Sequence, residues 1–181
     1  MKSAVSGVGP VICTLALVLM SGCLTAPEEK LRMAAADGHL LRVEALLRQD
    51  VAVQAADERG MTPLLLAAKH GHRDVAARLL EQGALVNHAR RDGVTPLLLA
   101  VQGGHRDTVA LLLEKGADLR AQPSLGGVTL LHVGAYQGNP EIIALLLRHG
   151  GDKNARMSSG ERPVDLARQQ GHTALIPLFE P

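Results

Sequence analysis

Eight histidines are spread along this chain of 181 residues, and the closely spaced pair His70-x-His72 raises the chemistry of a metal site. A bound zinc ion needs three or four ligands converging on one point. The other histidines are arranged to do the opposite. His39, His72, His105 and His172 each follow a glycine and recur at steps of 33 or more residues, so a repeating fold keeps them one unit apart. No metal site is expected.

The remaining reactive groups read in the same way. Asp74, Asp107 and Glu141 fall where helices should start, and a carboxylate there opposes the helix dipole. Ser124, Ser158 and Ser159 lie in turns with no neighbouring base, and no glycine-rich loop has phosphate-binding spacing. These residues compose no catalytic constellation, so neither an enzyme nor a cofactor is expected. Charge points away from nucleic acid as well. Lys plus Arg number 19 against 18 Asp plus Glu, with no basic stripe and no run of stacking aromatics to follow a phosphate backbone.

What must position these residues is a repeat. Thr62-Pro63-Leu64-Leu65-Leu66-Ala67-Ala68-Lys69-His70-Gly71-His72 returns from Thr95-Pro96, from Thr129-Leu130 and from Arg162-Pro163, at spacings of 33, 34 and 33. The Gly-His end keeps its own register through Gly38-His39, Gly71-His72, Gly104-His105, Gly138-Asn139 and Gly171-His172. A fixed period of this size means stacked units that share one core. With only Tyr136 and Phe179 aromatic, that core must be Leu, Ala, Val and Ile, which suits thin helices packed close together.

Each unit is predicted to hold two helices. Thr62 suits the N-cap and Pro63 the first helical position, because the proline gives up no hydrogen bond there. Ala67 and Ala68 admit a close neighbour, Gly71 permits the turn, and Val75, Leu79 and Leu80 face the core before Gly83 ends the second helix. In the first unit, Leu31, Met33, Ala34 and Ala35 take the apolar positions. In the last, Pro177 falls where the second helix should continue, so that helix is expected to be short or broken.

Thr-Pro-Leu-x-x-Ala-Ala-x-x-Gly-His, followed by a Leu-Leu pair and a Gly-Ala, resembles the ankyrin repeat over roughly residues 28–181. The resemblance implies an all-α ankyrin-repeat solenoid of paired antiparallel helices joined by hairpin-like loops. Residues 28–60 form a capping unit, 61–93, 94–127 and 128–160 full repeats, and 161–181 a second cap. The loop from Ala121 to Gly127 must accommodate the one extra residue of the period and is expected to alter its finger. His132 alone carries the family's motif histidine, which implies hydrogen bonds between adjacent repeats; Leu65 and Leu98 hold that slot earlier.

The first 22 residues read as a signal peptide: Lys2 is followed by an apolar run from Val8 to Met20, short of the about 20 residues that span a bilayer. Leu19-Met20-Ser21-Gly22-Cys23 resembles the bacterial lipoprotein cleavage site, with Met20 where leucine is usual. That resemblance implies acylation of Cys23 and, from Leu24 at the next position, retention at the periplasmic side of the outer membrane. Residues 23–27 would then be the lipidated N-terminus and a spacer of roughly 14 Å. Neither Cys13 nor Cys23 can staple the repeats with a disulfide, since both precede them.

Recognition remains as the function, and the resemblance implies the concave face, built from loop tips and the exposed ends of first helices. Its slots are Glu58, Arg59, Met61, Lys69 and His70, then Arg91, Asp92, Val94 and Gln102, then Leu125, Val128, Tyr136 and Gln137. Tyr136 matters most, because aromatic and arginine side chains carry most hot-spot energy. The expected partner is a protein, with the membrane touched only through the lipid. Three roles fit: an immunity protein that captures an entering toxin, an accessory scaffold for a periplasmic enzyme, and a structural envelope lipoprotein.

Overall fold

The structure, a computed structural model, describes residues 26–120 and 126–180. The leader with Cys23 and the loop residues 121–125, including Leu125, lie outside the described residues.

Among the described residues ten α-helices follow in order: α1 (Pro27–Ala36), α2 (Leu40–Leu47), α3 (Pro63–Lys69), α4 (Arg73–Glu81), α5 (Pro96–Gln102), α6 (Arg106–Glu114), α7 (Leu130–Gln137), α8 (Pro140–Arg148), α9 (Pro163–Gln169) and α10 (Ile176–Phe179). A 3-10 turn over Thr173–Leu175 precedes the last of them. No strand occurs among the described residues, and none of their helices is long and apolar enough to cross a membrane. Odd-numbered helices pack side by side in one row and even-numbered helices in a second row behind it. The fold is the expected all-α repeat stack.

Local chemistry starts each pair. Thr62 Oγ1 accepts from the Leu65 N–H at 3.3 Å, Thr95 Oγ1 from Leu98 at 3.2 Å, and Thr129 Oγ1 from His132 at 3.4 Å. Each hydroxyl satisfies one of the free donors of a first turn, and Pro63 and Pro96 stand at the first helical position. Ala67, Ala68 and Ala100 have no exposed surface, so the rows approach as closely as methyl side chains allow. A single apolar core then runs the length of the stack, from Leu31 through Leu64, Leu79, Leu97, Leu112, Leu131 and Leu146 to Leu175 and Phe179.

The ends are closed differently. At the last unit Arg162 offers no hydroxyl, and the Asp165 carboxylate instead accepts from the Arg162 backbone N–H at 3.0 Å and from its guanidinium at 3.1 Å. That guanidinium holds the Asp165 carboxyl below its ordinary range. The second helix breaks as Pro177 demands, leaving one 3-10 turn and the four residues of α10. At the first unit Leu31, Ala34 and Ala35 are buried as expected, whereas Met33 is 53% exposed and leaves the core. Its side chain faces the open side of the odd-helix row.

Thr108, in α6, is 1% exposed and its hydroxyl has no hydrogen-bond partner. Val75 and Ile142 fill the same slot in the neighbouring units, each buried. Thr108→Val keeps the shape and removes an orphaned hydroxyl, so thermal unfolding should shift upward by roughly 3 °C, the equivalent of about 1 kcal/mol. An unchanged or lower Tm would mean that the hydroxyl is satisfied.

Candidate protein-binding face

The finger loops and the odd-numbered helices share one face of the stack. Three fingers are each closed by a backbone bond, Asp57 N–H to Met61 C=O at 3.1 Å, Arg90 to Val94 at 2.9 Å and Met157 to Glu161 at 3.0 Å. Fingers also stack on one another. The Arg90 Cγ lies where a Cβ on Gly60 would come within 3.0 Å, and the Ser158 N–H donates to Gly126 C=O at 2.7 Å.

Of the residues assigned to this face, Glu58, Arg59, Arg91 and Asp92 are exposed at the finger tips, and Lys69 and His70 are exposed at the end of α3. Asp92 is already engaged. The Arg90 guanidinium binds its carboxylate, with Nε donating at 2.8 Å, and holds its pKa down to about 2. Partial desolvation of its ring, with help from Lys69 and the neighbouring His72 and His105, lowers the pKa of His70, whose ring stacks on His72 with centroids 6.2 Å apart.

Met61 requires correction. It is only 7% exposed, because the next finger covers it and Arg90 Nη1 reaches its sulfur at 3.6 Å; it supports the face from beneath and offers a partner no surface. Val94 and Val128 are half-buried.

Four of the assigned residues converge. Gln102, Val128, Tyr136 and Gln137 line one groove of about 410 Å³, together with His132, Val133 and Leu166. Tyr136 is 57% exposed beside it. The charged finger tips of the first two repeats lie outside this lining. A second, smaller groove of about 250 Å³ lies at the N-terminal end, lined by Glu29, Arg32, Met33, Ala36, Asp57 and Leu66.

One component of the face escaped sequence reasoning. Met33, Leu66, Leu99, Val133 and Leu166 occupy one slot in successive units, and all are exposed or half-buried. They form an apolar row along the open side of the odd helices, and both grooves are floored by its members. The signal was present as an apolar residue immediately before the small residues of each motif. It reads as core because Leu64 and Leu97, two positions earlier in the same motif, are core.

His132 is 1% exposed and ties two repeats together. The Thr129 backbone N–H donates to its Nδ1 at 3.0 Å, so Nδ1 carries the lone pair and the proton sits on Nε2, which donates to Glu161 C=O at 3.1 Å. Burial lowers its pKa, against the opposing pull of the Glu161 carbonyl and carboxylate. His132 is therefore neutral at pH 7.

The Gly-His slots form a ladder. Nε2 of His72 donates to Ala36 C=O at 2.9 Å, that of His105 to Lys69 C=O at 2.9 Å, and that of His172 to Tyr136 C=O at 3.1 Å. Each ring lies against the glycine of the preceding unit: a Cβ on Gly38, Gly71 or Gly138 would stand 2.6, 2.5 or 2.5 Å from ring atoms. One rung is missing. Asn139 takes the slot after α7 and turns its oxygen to its own helix, accepting from Ile142 N–H at 3.1 Å. At that junction α5 and α7 pack less closely than any other neighbouring odd pair.

Among the described residues no group of three or more His, Cys, Asp or Glu is placed to hold a metal ion. The arrangement offers contact: aromatic and apolar surface, amide groups and finger-tip charges on one side of a rigid stack.

Comparison with known proteins agrees with the geometry. Residues 31–123 match the model for ankyrin repeats in three copies, and residues 103–147 match a second model for ankyrin repeats in many copies. No curated protein matches the chain. Ankyrin repeats are scaffolds for protein–protein interaction. The first match alone spans just over half of the 181 residues, and the chain belongs to the ankyrin-repeat family.

Proposed function

We propose that this protein binds another protein through its concave face, with the groove beside Tyr136 as the centre of contact, while a lipid on Cys23 holds it to the periplasmic side of the outer membrane. The single observation that carries the binding surface is the position of Tyr136. It is the only tyrosine of the chain, and it stands more than half exposed at the rim of an apolar groove. Folded proteins rarely leave an aromatic beside an open apolar surface without a use for it.

The anchor rests on the leader pattern that ends in Ser21-Gly22-Cys23. A binder held close to the lipid meets whatever crosses the periplasm near that surface. Inhibition, as by an immunity protein that captures a toxin attacking lipid or wall, suits this arrangement. An accessory scaffold for a periplasmic enzyme uses the same surface with the opposite effect on its partner.

Affinity capture from envelope extract tests the binding reading, with residues 24–181 as bait beside a Tyr136→Ala, Arg91→Ala double variant. One protein held by the first bait should be lost from the second, since removal of a central aromatic typically costs about 2 kcal/mol, roughly 30-fold in affinity. Equal retention places the contact elsewhere. Activity of the captured protein, measured with and without the bait, then distinguishes inhibitor from accessory.

The anchor has its own test. Cys23→Ser should move the protein from the membrane fraction to the soluble periplasmic fraction without changing its Tm; continued membrane association would remove the lipid from the account.

A further inference from the structure

The groove beside Tyr136 sits where the stack is least tightly joined. Three independent features mark the junction between α5 and α7. The helices make fewer close approaches than the neighbouring odd-numbered pairs, the histidine rung is replaced by Asn139, and the period lengthens there by one residue. The groove opens over that junction, with Gln102 from α5 and Val133, Tyr136 and Gln137 from α7 in its lining.

We propose that this opened junction receives an apolar side chain from an extended, uncharged segment of the partner protein. The inference rests on the concave-face reading and specifies what the face recognises.

Three properties select that occupant. First, the lining carries no formal charge at neutral pH: it consists of two glutamines, apolar side chains, Tyr136 and His132, whose only proton is on Nε2 and is used on the Glu161 carbonyl. A charged guest side chain would lose water and gain no counter-ion. The N-terminal groove, lined by Glu29, Arg32 and Asp57, has the contrary character. Second, the volume of about 410 Å³ falls in the range of small-ligand pockets, so it is large enough for one bulky side chain.

Third, Gln102 on α5 and Gln137 on α7 bring an amide to the groove from each of the two helices. Each amide can both donate and accept. Backbone N–H and C=O groups are the matching partners, and they are available in an extended segment, whereas a helix has consumed its own. Val133 and Leu166 supply the apolar floor, and Tyr136 closes one side.

The test uses the isotope-labelled mature protein and three capped peptides of glycine with a single central Leu, Asp or Lys, followed by amide and methyl chemical shifts. The Leu peptide should bind with a dissociation constant of about 1 mM and perturb Val128, Val133, Tyr136 and Leu166, with the Asp and Lys peptides at least roughly tenfold weaker. Val133→Lys, at a half-exposed position, should abolish the Leu response; Leu166→Asn serves as a second variant, and Tm shows that each is folded. Equal responses to all three peptides, shifts confined to other surfaces, no response, or unchanged binding by both folded variants would each overturn the proposal.

The outcome separates from that of the concave-face reading. Capture that depends on Tyr136 without any Leu response keeps the face and removes the side-chain site. A Leu response together with capture indifferent to Tyr136 keeps the site and removes its role in holding the partner.

Discussion

Replacing Gly71 with alanine should destabilise the protein by about 3 kcal/mol, which for a domain of this size lowers Tm by roughly 10 °C. Two costs add. Gly71 has φ of +74°, a left-handed conformation that costs a residue with a Cβ about 1–2 kcal/mol. The new methyl would also stand 2.5 Å from the His105 ring, and overpacking of that kind costs about 1–3 kcal/mol. His105 cannot swing aside freely, because its Nε2 is committed to Lys69 C=O.

Gly83 separates the two contributions. Its φ is +87° and nothing lies within 4 Å of a Cβ built there, so Gly83→Ala should cost only the backbone part. Urea unfolding of both variants, and of Gly71→Ala combined with His105→Ala, completes the comparison. The double variant should recover part of the loss, because the clash disappears with the ring. Equal destabilisation at Gly71 and Gly83 would mean that the histidine ladder does not lock the repeats.

His132→Ala should be the other severe substitution, at about 3–4 kcal/mol. It removes a fully buried side chain and strands two backbone groups, the Thr129 N–H and the Glu161 C=O. His132→Leu restores the bulk that Leu65 and Leu98 supply in the same slot and should cost only about 1–2 kcal/mol, for the two unpaired groups. The difference between the variants is therefore packing, and the remainder is hydrogen bonding.

His132 also gives the stability a pH dependence of known sign. Its folded pKa lies below the ordinary value of 6.5, so the unfolded chain takes up the proton first as pH falls. The stabilisation is complete above pH 6.5 and declines from there down through the folded pKa. Protonation of Nδ1 would set one donor against the Thr129 N–H. Unfolding free energies between pH 7 and 5 should fall more steeply for the natural protein than for His132→Leu, which keeps the other seven histidines. Parallel curves would contradict the tautomer assigned here.

Much of the fold was legible because its signals are local and repeated. Threonine before proline marks the starts of α3 and α5 by a hydroxyl that must cap, and Gly-His marks the turn in four of the five units. Pro177 announced the broken last helix. What was not legible depended on neighbours. Met33 and Met61 have the same side chain and opposite fates: the finger above covers Met61 through Arg90, while Met33 on α1 is more than half exposed among the described residues. The Gly-His register was visible, but His72, His105 and His172 each bind a backbone carbonyl, which carries no side-chain identity for a sequence to reveal.

The site divides similarly. Gln102, Val128, Tyr136 and Gln137 could be assigned to one face from their slots, yet that they share one groove depends on how α5, α7 and α9 pack side by side. Asn139, where the other units carry histidine, was the sequence mark of that opening. Val133 and Leu166 belong to the groove as well, and their place in an apolar motif hid them among the core residues.

Photo-crosslinking in the living cell tests the central claim most directly. A benzophenone amino acid is placed at Tyr136, on the concave face, and separately at Leu41, which is 82% exposed on the even-helix row. Irradiation should yield one discrete protein adduct from position 136 and none from position 41. Adducts from position 41 alone, or from neither position with the protein expressed and folded, would contradict the assignment of the concave face as the surface by which this protein acts.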